Sequence, residues 1–166
     1  GGNKMKEHLT AKILNVILIL GIILTFFALV GTPLIATAFF KSAFGILNHS
    51  LIFKVSFCIY LCAIPYIIAL FKLNKLCKLV IKNKSFSNES ITCLKTIAIC
   101  VFSEMLIFIF ASLFLKFNTN IFNDFTMIPI MILISIICIP LTLLCLVFAE
   151  LFYNAKEIKD ENDQTI

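Results

Sequence analysis

The stretch LIFKVSFCIYLCAIPYIIALFKLNKLCKLVIKNKSFSNES, residues 51–90, changes character at its middle. Residues 51–71 are almost wholly apolar, and residues 72–90 carry five lysines: Lys72, Lys75, Lys78, Lys82 and Lys84. The apolar half matches the roughly 20 helical residues needed to cross a bilayer. It is apolar on every side, whereas a helix covering a soluble core keeps one polar face for water. A membrane helix that runs into a basic connection is the simplest physical reading, because lysine collects on the cytoplasmic side of such helices.

Working outward, three more runs repeat the pattern at 13–31, 97–115 and 128–152. The 166-residue chain is 61% hydrophobic, with 14% charged residues and a mean hydropathy of +1.06. Soluble domains hold roughly 45–50% apolar residues, so water is excluded as the main solvent. The sequence therefore predicts an all-α integral membrane protein. It is expected to be one transmembrane domain over residues 1–166, with four helices in an antiparallel bundle. Lys4, Lys6 and Lys12 before the first run, and Ala36-Thr37-Ala38 after it, resemble a signal peptide. The run is longer than the usual signal core of about 7–15 residues, so it is expected to stay as a span.

The lysines set the direction. Those before span one and those in 72–90 place the N-terminus, the middle connection and the C-terminal tail in the cytoplasm. Loops 32–50 and 116–127, with Lys41, nearby Lys54 and Lys116, then face outward. All fourteen basic residues are lysine. With abundant Ile, Asn and Phe, this points to an AT-rich bacterial coding sequence and to the bacterial inner membrane. The net charge is +5, but the lysines border spans and no arginine fork is present. Direct nucleic-acid binding is not expected.

The connections carry patterns of their own. Leu73, Leu76, Cys77 and Val80 fall at i, i+3, i+4 and i+7. They predict an amphipathic continuation of helix 2 lying at or near the inner surface. Its lysines would meet anionic lipid, at about 1 kcal/mol each, or dock a cytoplasmic partner. Ser87 or Asn88 is expected to cap the third helix, with Glu89 in the first turn, where the helix dipole favours an acid. Loop 32–50 is apolar, with Pro33, Phe39, Phe40 and Phe44, and is expected to be an interfacial helix or a cap. In the tail 154–166, Glu157, Asp160, Glu161, Asn162 and Asp163 make an acidic segment. It either returns to the basic loop, stays solvated or receives a basic partner.

Few polar groups interrupt the spans. Glu104 lies near the middle of span three, where an acid costs about 2.5–3.5 kcal/mol on insertion scales. It shares a face with Cys93, Cys100 and Ala111, small residues that let a neighbour approach. Ser135, Cys138, Thr142 and Cys145 form a matching seam in span four. Span two offers Ser56 and Tyr60. Glu104 is expected to point into the bundle and bond Tyr60 or a seam hydroxyl. It serves there either as a neutral pin between helices or as a group that senses protons, ions or a cationic ligand. Pro65 and Pro140 are expected to bend their helices. The seven cysteines fall mostly in apolar runs and are read as small, reduced, buried residues. No His or carboxylate beside them completes a metal site.

The chain shows no nucleophile–base pair, phosphate-cradling glycine loop or HExxH pattern, so neither catalysis nor a cofactor is expected. The segments IYLCAIPYIIALFKLNKLCKLVIKNKSFSNESITCLKTIA (59–98) and NAKEIKDENDQTI (154–166) resemble the bacterial family of domain-of-unknown-function 2975 membrane proteins. Gln164 departs from the Leu usual in that tail. The resemblance implies a four-helix membrane protein of unestablished activity, encoded beside a small helix-turn-helix regulator. The first expected function is therefore regulatory. A cytoplasmic helix-turn-helix partner would be held through loop 72–90 and the tail, with lipid around the spans and self-association open. The alternatives are self-protection against a membrane-active peptide through loop 32–50, and a small transporter centred on Glu104.

Overall fold

The computed structural model describes residues 2–45, 48–119 and 124–165, the side chains from residue 9 onward in the first segment and from residue 128 onward in the last. Four helices make up these residues, and no strand occurs among them: α1 (Gly2–Phe44), α2 (His49–Ile81), α3 (Asn88–Asn118) and α4 (Asp124–Gln164). Each is long and apolar enough to cross a membrane. The predicted spans fall one in each helix. At 1.5 Å per residue the 43-residue α1 is about 65 Å long, twice the roughly 30 Å hydrocarbon thickness. The helices therefore continue well past the spans, and this is where the predicted connections need correction.

Loop 32–50 is mostly helix. Residues 32–44 are the last turns of α1, which runs straight through Pro33. Proline lacks the N–H that would bond the carbonyl four residues back, here that of Leu29. The Tyr60 hydroxyl donates to that carbonyl at 3.0 Å, so the freed acceptor is satisfied from α2 and the helix need not break. α1 stops at Gly45, which takes φ +63° and donates its N–H to the Lys41 carbonyl at 3.2 Å. A left-handed glycine just past the last turn is a common helix stop. The rings of Phe39, Phe40 and Phe44 cluster at this end, with centroids 5.6–6.2 Å apart.

The middle connection shortens in the same way. Helix α2 reaches Ile81, so only residues 82–87 join it to α3. The expected continuation of α2 forms, packed between its neighbours. The expected stripe is its covered face: Cys77 is buried and Leu73, Leu76 and Val80 are half-buried, while Lys75, Lys78 and Lys82 are exposed. Asn74 and Leu79, outside that stripe, are buried as well. The Asn74 amide donates to the Asn15 side-chain carbonyl of α1 at 3.0 Å, a polar tie between helices. The tail is likewise no separate segment, because α4 is unbroken to Gln164 and its last turns are exposed. In the loop expected at 116–127, α3 continues to Asn118 and Thr119 caps it. Residues 120–123, and the side chains of Lys4 and Lys6, lie outside the described residues.

The helices pack in chain order, α1 on α2, α2 on α3 and α3 on α4, and no other pair brings its backbones together among the described residues. Two helices therefore sit in the middle of a row and two at its edges. The core is small and lies at the end that carries the α2–α3 turn: Ile91 and Leu94 of α3 against Ala149 of α4, with Leu76 and Phe152 packed on them. Ala149 is 1% exposed, and its single methyl group is what allows α4 to come this close.

Candidate functional site

The turn at 82–87 is built rather than slack. Asn83 takes φ +56°. Its N–H bonds the Val80 carbonyl at 3.1 Å, and the Lys84 N–H bonds the Leu79 carbonyl at 2.9 Å. These two bonds with a left-handed residue between them form a Schellman stop. Asn tolerates that conformation better than other side chains bearing a Cβ. Ser87 then caps α3 as expected, its hydroxyl accepting from the Ser90 N–H at 3.3 Å. Ser90 is completely buried, and its hydroxyl donates to the Lys84 carbonyl at 3.1 Å. Glu89 sits in the first turn and reaches Lys75 at 3.8 Å.

This turn lies against the start of the acidic extension. Phe86 meets Phe152 edge to face, with ring centroids 5.2 Å apart. On one side of that contact Lys75, Lys78, Lys82 and Lys84 are exposed, while Lys72 is half-buried. On the other side α4 exposes Glu157, Asp160, Glu161, Asn162 and Asp163. Lys156 and Asp160 pair at 3.6 Å. The basic segment is thus set against α4 just before the acidic segment begins, through an aromatic contact that neither segment's charge pattern announced.

The membrane-centre group is not assembled as expected. Cys93, Cys100 and Ala111 are buried and Glu104 is half-buried, so the face on α3 is correct. Ser135, Cys138, Thr142 and Cys145 are all half-buried on a mostly exposed α4. Glu104 lies within electrostatic reach of Cys62 on α2 and Cys138 on α4. Its bonding partners, however, are engaged elsewhere. Tyr60 is spent on the Leu29 carbonyl. Ser135 and Thr142 each donate to a carbonyl four residues back in their own helix, both at 2.8 Å. In hydrocarbon that short-range bond is always within reach of a helical Ser or Thr, so it competes well with a distant carboxyl. Glu104 Oε2 and Ser56 Oγ are both buried with no hydrogen-bond partner among the described residues. The pin from Glu104 to Tyr60 or to the seam does not form.

Two sites escaped the sequence reading. The Asn15–Asn74 bond ties α1 to α2, and its signal was Asn15, the one amide inside the first apolar run. Ser90, with its tie to the turn, had no signal beyond lying three residues after the cap. All seven cysteines are free, and Cys58, Cys77, Cys93 and Cys100 are buried, as expected. Among the described residues no three His, Cys, Asp or Glu side chains lie close enough together to hold a metal ion.

Four long apolar helices, packed in order and sparsely covered at the edges, are the architecture of a multi-pass membrane protein. The chain belongs to the family described as Protein of unknown function (DUF2975), whose model matches residues 6–166. No curated protein and no solved structure gives a significant match.

Proposed function

We propose that this chain is a regulatory protein of the bacterial inner membrane. In this reading the helices are antiparallel, both termini are cytoplasmic, and a cytoplasmic partner docks where the α2–α3 turn meets the α4 extension. The observation that carries it is the contact of Phe86 with Phe152, which sets the basic turn against α4 two residues before its acidic segment begins. A turn held by a Schellman stop and by Ser90 is preorganised, so little order has to be created when a partner binds. The lysine asymmetry supports the cytoplasmic placement. The pairing of residue 15 with 74, and of 29 with 60, supports an antiparallel α1 and α2. The family resemblance makes a small helix-turn-helix regulator the partner of choice. The partner, not this chain, would touch DNA, and no catalysis is assigned.

The test is co-purification of the neighbouring helix-turn-helix protein with the full chain, with a chain lacking 154–166, and with Lys78, Lys82 and Lys84 changed to Glu. Loss of the complex in both altered chains is the expected outcome. An undiminished complex in both ends the proposal. A reporter joined after Ile166 should be active only in the cytoplasm.

A transporter reading has one observation in its favour, the unpartnered Glu104 Oε2 between α2 and α4. It calls for substrate uptake that disappears in Glu104→Gln. Self-protection through loop 32–50 finds less support, because residues 32–44 are helix.

A further inference from the structure

We propose that the groove between α1 and α2 holds one acyl chain of a bilayer lipid, with the Tyr66 hydroxyl donating to that lipid's ester carbonyl. The inference is independent of the partner proposed above and concerns the opposite edge of the row.

The groove measures about 620 Å³, within the roughly 300–1,000 Å³ of small-molecule sites. Its α1 wall is a single helical stripe that includes Thr25, Ala28, Thr32, Ala36 and Phe40. The fifteen residue steps from Thr25 to Phe40 span about 22 Å at 1.5 Å each. Even the whole empty space of the groove, about 1210 Å³, spread over about 22 Å leaves a cross-section of only about 55 Å². A helix, 10–12 Å across, needs about 80 Å² or more. One extended chain, whose carbons sit about 4 Å from their neighbours, fits the groove, and a helix from a second protein does not.

The lining chemistry selects hydrocarbon as well. The threonine hydroxyls are already used inside α1: Thr25 donates to the Gly21 carbonyl at 2.8 Å and Thr32 to the Ala28 carbonyl at 3.0 Å. With those donors spent, the wall offers water nothing, and apolar cavities stay dry. Opposite them α2 presents Val55, Ile59 and Ala63. The two helices are tied by the Asn15–Asn74 and Tyr60–Leu29 bonds. The groove runs past the Tyr60–Leu29 tie, with Thr25 and Tyr66 on one side of it and Ala36 and Val55 on the other, and short side chains on the facing stripes leave a channel instead of interlocking.

Tyr66 supplies the polar end. It lines the groove, and its hydroxyl has no hydrogen-bond partner among the described residues, unlike that of Tyr60. It lies six residues, about 9 Å along the axis, from Lys72, on the hydrocarbon side of the basic end of α2. A phenol hydroxyl there normally finds an acceptor. The ester carbonyl at the head of an acyl chain is the acceptor that a bilayer offers, and the chain itself then runs toward Phe40.

The test uses the full chain in phosphatidylglycerol vesicles containing a tracer of the same lipid with a diazirine in its acyl chain. After photolysis, labelled peptides are mapped by mass spectrometry. Labelling at Thr32, Ala36, Ile59 and Ala63 should exceed severalfold that at Val30 and Leu34, which are 81% and 77% exposed on the outer side of α1. Ala28→Phe, which fills the groove from an exposed position, should remove the groove labelling and leave Val30 and Leu34 unchanged. Ala63→Leu serves the same purpose if that variant fails to fold. Tyr66→Phe should shift the label along the groove. Equal labelling on both sides of α1, labelling indifferent to the filled groove, or retention of an isoprenoid instead of a phospholipid in native mass spectra would each overturn the proposal.

Discussion

The middle helices and the edge helices of this row obey opposite versions of one rule. The most apolar windows of the chain lie in α1 and α4, and each of those windows is only 6% buried; the windows of α2 and α3 are less apolar and 28% buried. In a water-soluble protein the order is reversed, since the greasiest segments go inside. Here the solvent is hydrocarbon. Of the buried polar side chains among the described residues, Ser56, Asn74, Ser90 and Ser112 fall on α2 and α3 and Thr32 alone on α1, and much Ile, Leu and Phe on the edge helices is left for lipid. The comparison teaches that cover in this protein follows the need for a polar partner or a close backbone, rather than hydrophobicity.

That comparison can be broken at several points. The largest expected effect is at Ala149, where a methyl group sets how closely α4 approaches α3. Ala149→Leu should overpack the core beside the α2–α3 turn and destabilise the protein by about 1–3 kcal/mol, read as a lower unfolding temperature in detergent. The same change at exposed Val147, as Val147→Leu, should be nearly neutral. At Ser90 the expected loss is of similar or slightly smaller size. Ser90→Ala leaves the Lys84 carbonyl without its buried donor, at about 1–3 kcal/mol, and should open the turn to protease.

Glu104 sharpens the comparison because its expected sign is reversed. An acid with one buried, unpartnered oxygen is a burden on α3, so Glu104→Leu should raise the unfolding temperature, by an amount corresponding to about 1–2 kcal/mol. Destabilisation instead would mean that Glu104 has a partner that matters to folding. Next comes Tyr60→Phe, which strands the Leu29 carbonyl opposite Pro33. Hydrogen bonds between membrane helices average about 0.6 kcal/mol, and a loss near that value, with faster amide exchange around Leu29, is expected. Smallest is the exposed Lys75–Glu89 pair. Lys75→Ala should change stability by about 0.5 kcal/mol or less, while still weakening partner binding if the inner surface acts as proposed.

Some of this was readable in advance, for identifiable reasons. Length and hydropathy are local quantities, so each of the four spans was visible within its own run of residues. The Ser87 cap, the small-residue seam on α4 and the face of α3 that carries Glu104 are local too, because helical spacing alone decides which residues share a side. The helix ends were not readable. Pro33 looks like a boundary until Tyr60, 27 residues away, is seen to bond the carbonyl that Pro33 leaves free. The tie of α2 to α1 needed the Asn15–Asn74 bond, and the docking of the turn on α4 needed the Phe86–Phe152 contact.

By itself, then, the order of amino acids determined the solvent, the number of helices, their all-α character and the family. Each of these is a sum over neighbouring residues, and a bilayer reads such sums directly. Tertiary structure alone decided where the helices stop, which polar side chains tie α1 to α2 and which hydroxyls remain for Glu104. These depend on bonds between residues far apart in the chain. In hydrocarbon a polar atom takes whichever partner is nearest in space, and only the packed helices determine which that is.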